Sequence, residues 1–161
     1  METEERINAI EECYEFMLTY AAQGLPSDKG SRSAGQVREF LNRGVNALDG
    51  LAESCATTVW DEGFDPPEKY QAFFDVLDRD AHDSLAAIEI VLAQPEISSQ
   101  MVDNLNASIH LRALLTDLFL VDEVLKTQRQ SADLIAIPYG CSGATKNQSA
   151  CEAGESVKPG A

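Results

Sequence analysis

The chain has 161 residues, of which 44% are hydrophobic, and a formal net charge of −15 at pH 7. This length and composition predict one domain with a hydrophobic core of its own. The acidic excess disfavours nucleic acid and anionic membranes as partners, because both require a basic surface. It favours solubility and a protein partner that has a basic surface.

The start of the chain and its most apolar stretch predict a cytoplasmic protein. Met1–Arg6 contains three glutamates, whereas a secretory signal begins with a basic and then an apolar run. Residues 111–125 are the most apolar stretch, but their four charged side chains make it too polar to cross a bilayer. Cys141 and Cys151, ten residues apart, lack the spacing of a zinc site.

Two long segments in the first half of the chain have the apolar spacing of one helical face. Helix 1 is predicted over Glu4–Gln23, with Thr3 as its N-cap, and helix 2 over Ala34–Trp60. Apolar residues recur at intervals of three and four along both segments, as they do on the core-facing stripe of an amphipathic helix. The core residues expected in these helices are Ile10, Met17, Leu41 and Leu48.

Two further helices are predicted in the second half. Helix 3 opens with Asp65-Pro66-Pro67-Glu68, which provides a capping acid, prolines in the first turn and a glutamate at the capping-box position. It ends near Pro95, and helix 4 follows over Glu96–Gln130. The expected core residues are Phe73, Leu77, Ile88 and Leu105.

These elements predict an all-α fold. We expect an up-down-up-down four-helix bundle over residues 1–130, followed by an irregular C-terminal tail over residues 131–161. Small and polar residues dominate the chain after Tyr139, so we expect that part of the tail to be mobile.

Helix 4 is predicted to be apolar on two faces. At about 100° per residue, its second half places an apolar stripe opposite the face that its first half begins. Either the tail segment Leu134–Tyr139 or a second copy of the chain must cover this stripe. We expect a homodimer, because the tail segment is too short to cover the whole stripe. The predicted interface residues are Leu111, Leu114, Leu118, Val121 and Leu125.

One acidic pattern resembles a known metal motif. Glu11-Glu12-x-x-Glu15, followed by Glu39-x-x-Asn42, resembles the EExxE…ExxD magnesium motif of MazG-type nucleotide pyrophosphohydrolases. The resemblance covers only the first two helices, and Asn42 stands where the family has a carboxylate. It implies an all-α enzyme in which the four glutamates hold the metal. However, Glu12 and Glu39 lie opposite the apolar stripes of their helices, whereas metal ligands should converge between helices.

No other pattern predicts a catalytic or cofactor site. The Glu-x-x-His motif of di-iron bundles does not occur, so a bundle of ferritin-like descent would have lost its metal. His82 lies one turn after Asp78 and off the apolar face, and His110 has no nucleophile beside it. Arg112 lies on an apolar face, which predicts an arginine that reaches solvent at the edge of the bundle, a pairing with an acid at the edge of the core, or an anion site.

Together these patterns favour a non-catalytic function that uses no cofactor. We expect a protein-interaction, regulatory or assembly component whose partner has a basic surface. The alternatives are a MazG-like magnesium-dependent nucleotide pyrophosphohydrolase, an acidic decoy or immunity-type inhibitor, and a ferritin-like bundle that has lost its metal site. Carboxylates that converge between helices 1 and 2 would favour the enzyme, whereas an exposed apolar patch on helix 4 would favour the interaction component.

Overall fold

The computed structural model describes residues 1–30 and 32–136, and all regular secondary structure within these ranges is helical. The helices are α1 Thr3–Ala22, α2 Arg32–Leu48, α3 Leu51–Asp61, α4 Pro67–Leu92, α5 Ser99–Asn106 and α6 Ile109–Ala136. α1 packs against α2 and α5, and α4 packs against α2, α3 and α6. The all-α class is therefore confirmed for the described part of the chain, while the up-down-up-down order stays a prediction.

One hydrophobic core receives side chains from each of these helices. Seven of the eight predicted core residues are buried, each with at most 5% of its surface exposed. They are Ile10, Met17, Leu41, Leu48, Leu77, Ile88 and Leu105. The eighth, Phe73, is half-buried because it lines a surface groove between α4 and α6. Within the described ranges, we find no helix that is both long enough and apolar enough to cross a membrane.

The predicted helix 2 is in fact two helices, because the chain turns at Gly50. Gly50 has a φ of +74°, in the left-handed region that glycine adopts without steric cost, and it separates α2 from α3. Arg6 of α1 stabilises this turn. Its guanidinium donates hydrogen bonds to the carbonyl oxygens of Ala47, at 3.1 Å, and of Asp49. Carbonyls at the end of a helix lack helical partners, so a cation there satisfies them.

The predicted helix 4 is also two helices, separated at Ala107 and Ser108. The Ser108 hydroxyl accepts a hydrogen bond from the backbone N–H of Leu111 at 3.3 Å, which caps the first turn of α6. The break removes the fixed angular relation between the two halves. α5 and α6 each turn one apolar side toward the core. These two sides are the two apolar faces that were expected on one continuous helix.

The first and the last helix differ from their predicted boundaries. Thr3, the expected N-cap of helix 1, lies inside α1 and is buried. Its hydroxyl hydrogen-bonds with those of Ser54, at 2.7 Å, and Thr58, at 2.8 Å, and so ties α1 to α3. At the other end, α6 continues past Gln130, so residues 134–136 are helical and not extended. Residues 137–161 of the predicted tail lie outside the described residues.

A partly buried ion pair between Asp28, in the loop after α1, and Arg38, in α2, also binds the loop after α4 through hydrogen bonds. The side chain of Asp28 is 6% exposed and accepts hydrogen bonds from the Arg38 guanidinium and, at 2.8 Å, from the backbone N–H of Ile97. Arg38 also donates to the carbonyl oxygens of Leu92 and Gln94, both at 2.9 Å. Burial acts to raise the pKa of Asp28, but these hydrogen bonds outweigh burial and hold the pKa below its ordinary value.

Candidate protein-interaction surface

The apolar stripe predicted to form a dimer interface lies in the core of a single chain. Each of its five residues is at most 5% exposed. They are Leu111, Leu114, Leu118, Val121 and Leu125. α6 is a separate helix that packs this side against its own chain, so no second copy is needed to cover the stripe, and the homodimer itself stays a prediction. These residues are not available to another subunit.

Other apolar side chains of α3 and α6 are exposed. Trp60 is 78% exposed, and Phe119 and Leu120 of α6 are 59% and 51% exposed. Leu120 lines a groove of about 200 Å³ between α4 and α6, which we call the α4–α6 groove. The only charged residue in its lining is Lys69. The full lining is Lys69, Tyr70, Phe73, Phe74, Leu120, Val121, Val124 and Leu125.

A larger pocket of about 470 Å³ lies between α3 and α4, and we call it the α3–α4 pocket. Trp60, Phe64 and Tyr70 line it with aromatic rings. The Phe64 and Tyr70 rings lie 5.8 Å apart between centroids and are tilted by 51°. The carboxylates of Asp65 and Glu68 also line this pocket. Tyr70 belongs to both linings, so the pocket and the groove are neighbours on one face of the protein.

The chain around this face is strongly acidic. Residues 61–83 carry eight acidic side chains against one lysine and one arginine. Glu62 is neutralised by Arg129 of α6, with an Nη2–Oε1 distance of 2.8 Å. Asp65 and Glu68 form no ion pair with any residue that the structure describes. The face therefore combines an apolar surface with negative charge that the described chain does not neutralise.

The glutamates of the magnesium-type pattern do not converge. Glu12 is exposed and forms an ion pair with Arg43 of α2, with 2.6 Å between Oε2 and Nη2. Glu15 and Glu39 are exposed, and Glu11 lines a cleft against α6. Across residues 1–30 and 35–131, whose side chains the structure describes, no three acidic, histidine or cysteine side chains are grouped closely enough to hold a metal ion.

The histidines and Arg112 lie on the surface. His82 Nδ1 is 2.8 Å from the carbonyl oxygen of Asp78, within one turn of α4. His110 Nδ1 lies 3.5 Å from a carboxylate oxygen of Asp83 on α4. Arg112 is exposed, so its charge needs no buried partner. None of these side chains contributes to the pocket or the groove.

A pair of carboxyl groups lies between α4 and α6, and sequence reasoning did not find it. Asp117 contacts Asp80, and one carboxylate oxygen of Asp117 is buried without a hydrogen-bond partner among the described residues. Burial, followed by the hydrogen bond and charge of Asp80, raises the pKa of Asp117 to about 6. Two ionised carboxylates cannot donate to each other, so Asp117 and Asp80 can share a hydrogen bond only while one of them holds a proton, which is the case below about pH 6. The only signal in the sequence was an acid on the apolar side of α6.

The comparisons with known proteins leave this geometry to be interpreted by itself. No protein-family model matches the chain, and comparisons with curated proteins and with solved structures found no match. The resemblance to MazG-type enzymes therefore rests on the glutamate pattern alone. The face formed by α3, α4 and α6 is the part of the described surface that combines apolar cavities with carboxylates that form no ion pair.

The raised pKa of Asp117 predicts an unusual pH dependence of stability. Between pH 3.8 and about 6, the folded state holds a proton that the unfolded state has released. This group therefore makes the protein less stable as the pH rises through that window. Asp117→Asn cannot ionise and its amide can donate to Asp80. We expect this variant to be more stable than wild type by about 1–2 kcal/mol at pH 7, with no advantage at pH 4.

Urea unfolding at several pH values from 4 to 7 checks this expectation. Glu89→Gln is the matched control, because Glu89 is an exposed acid on α4 and its loss should leave the pH dependence unchanged. A stability curve for Asp117→Asn that stays parallel to the wild-type curve would show that the pair shares no proton.

Proposed function

We propose that the protein is a non-catalytic interaction component that binds a protein partner through the face formed by α3, the first half of α4, and α6. The observation that carries this proposal is the coincidence on that face of apolar cavities and unneutralised carboxylates. Contiguous exposed apolar patches on a protein often mark binding sites, whereas single exposed apolar residues do not. Carboxylates at its edge favour a partner with a basic surface, because opposite charges speed encounter and fix orientation.

The composition of the face supports this assignment. Tryptophan and tyrosine are the residues that most often dominate binding energy, and Trp60 and Tyr70 both line the α3–α4 pocket. A net charge of −15 favours a different, basic protein over a second copy, since two copies would bring like charges together. An acidic decoy that imitates nucleic acid would need only carboxylates on its surface. The apolar groove therefore favours the interaction component over the decoy.

The proposal also includes a cellular location and an order of the helices. We infer a cytoplasmic location from the acidic, weakly apolar sequence. We also infer an up-down-up-down order in which α2 with α3, and α5 with α6, each replace one long helix. The pyrophosphohydrolase alternative would require Glu12 to leave Arg43 and turn toward the other glutamates of its pattern.

The test is affinity capture from the native host with matched variants, followed by direct binding of the purified partner. Leu120→Glu places a charge in the α4–α6 groove. Ile90→Glu places the same charge on the other end of α4, where Ile90 is 64% exposed. We expect a basic protein to bind wild type and Ile90→Glu equally well, and to bind Leu120→Glu at least about tenfold more weakly.

Two further observations complete the test: how binding depends on ionic strength, and whether the captured protein is basic. Binding should weaken as salt increases, because the acidic edge contributes through screened charges. Capture of an acidic protein, or equal binding by Leu120→Glu and Ile90→Glu, would contradict the proposed surface.

A further inference from the structure

The α3–α4 pocket has the composition of a cation site. Its walls are the rings of Trp60, Phe64 and Tyr70, and aromatic faces attract cations through their electron-rich π systems. Its volume of about 470 Å³ lies in the range of pockets that hold ligands or large side chains. Asp65 and Glu68 add two negative charges to the same lining.

The described chain supplies no cation of its own to this pocket. Arg129, on α6, is held by Glu62, and Lys69 lines the neighbouring α4–α6 groove and not this pocket. The residues beyond Ala136 contain two lysines and no arginine, and their charge is balanced by two glutamates. An arginine in the pocket would therefore come neither from the described side chains nor from residues 137–161.

We infer that the α3–α4 pocket binds an arginine side chain of the partner protein, an inference that rests on the proposed function. A planar guanidinium can stack on an aromatic ring and donate paired hydrogen bonds to a carboxylate, so it uses both kinds of group in the lining. A lysine ammonium offers no flat face, and a quaternary ammonium offers no hydrogen bonds. The combination of three rings with Asp65 and Glu68 thus favours arginine.

The experiment uses the full-length protein and its single tryptophan, Trp60, as a fluorescent reporter in the pocket. The probes are amphipathic helical peptides of alanine, leucine and lysine with one central arginine. In two further peptides, that arginine is replaced by citrulline, which has similar shape and no charge, or by lysine. We expect the arginine peptide to shift the Trp60 emission, and the citrulline and lysine peptides to bind at least about tenfold and about threefold more weakly.

A matched pair of variants locates the binding site. Glu68→Gln should weaken binding of the arginine peptide about tenfold and leave binding of the citrulline peptide unchanged. Glu89→Gln, which removes an exposed acid elsewhere on α4, should bind like wild type. Thermal melting of each variant establishes that it is folded, and the peptide substitutions test the same contact without changing the protein.

The outcomes separate this inference from the proposed function. Equal binding of the arginine and citrulline peptides, or no response of Trp60 up to millimolar peptide, overturns the arginine site. If the peptides also bind Leu120→Glu more weakly than Ile90→Glu, the interaction function stands without that site. If neither the peptides nor any basic host protein binds, both proposals fail.

Discussion

Leu118→Ala should lower the free energy of unfolding by about 2–5 kcal/mol, because it opens a cavity in a packed core. Leu118 is 1% exposed and lies on the side of α6 that contacts α4. Leu120, two residues further along the same helix, is 51% exposed. Leu120→Ala should change the free energy of unfolding by less than about 0.5 kcal/mol. Urea unfolding followed by circular dichroism measures both effects.

The same experiment decides between a core and a subunit interface for this stripe. The substitution of a core residue lowers the free energy of unfolding equally at every protein concentration. If the residue lies in a subunit interface, the stability of the wild type depends on concentration. We expect the wild-type midpoint to be unchanged over a wide concentration range. A midpoint that rises with concentration, together with a small effect of Leu118→Ala, would restore the stripe as a dimer interface.

Asp28→Ala should be the other strongly destabilising change, with a loss of about 2–4 kcal/mol. The substitution removes the acceptor of the Ile97 N–H and leaves the partly buried Arg38 without its carboxylate. The neighbouring ion pair between Lys29 and Glu96 is the matched control, because its side chains are 65% and 50% exposed. Lys29→Ala should cost less than about 0.5 kcal/mol, as exposed pairs usually do.

The free energy of unfolding measured at acidic pH provides a second test of Asp28. The pKa of Asp28 is held below the ordinary value of 3.8, so the ion pair stabilises the protein fully above that pH. This contribution is lost as the pH falls through the lower pKa of the folded state. Wild type should therefore lose its advantage over Asp28→Ala below pH 3.8. An advantage that persists unchanged at lower pH would show that the carboxylate is not the source of the stabilisation.

Asp28 and Asp117 thus act in opposite directions, although both are aspartates near the core. Asp28 receives an N–H group and a guanidinium, which stabilise its ionised form. Asp117 faces Asp80 and has a buried oxygen without a donor, which destabilises its ionised form. The sequence contains no local difference that predicts this, because the partners come from distant parts of the chain.

The helices and most of the core could be predicted from the sequence, because the interactions that specify them are local. Apolar residues at intervals of three and four define one side of a helix whatever that side packs against. Leu41, Leu77 and Leu105 were expected in the core on this ground and are buried. The two helix breaks were missed because Gly50 and Ser108 are also tolerated inside helices, and their effect depends on tertiary contacts such as those of Arg6.

Of the candidate surface, only its negative charge could be predicted from the sequence. The acidic segment around α4 is visible in the sequence, and it indicated a basic partner. The α3–α4 pocket was not predictable, because Trp60, Phe64 and Tyr70 come from a helix end, a loop and the next helix. Only the packing of α3 on α4 brings these rings to one cavity.

The sequence by itself determined the all-α class, the apolar sides of the helices and the acidic field around α4, since each depends on residue type and short-range spacing. The tertiary structure alone decided which apolar residues are covered. Leu118 is buried and Phe119 is exposed because α6 starts as a separate helix at Ile109, and only one of its sides packs into the core. It also decided the charge state of Asp117, because desolvation and a like charge across two helices act through space and not along the chain.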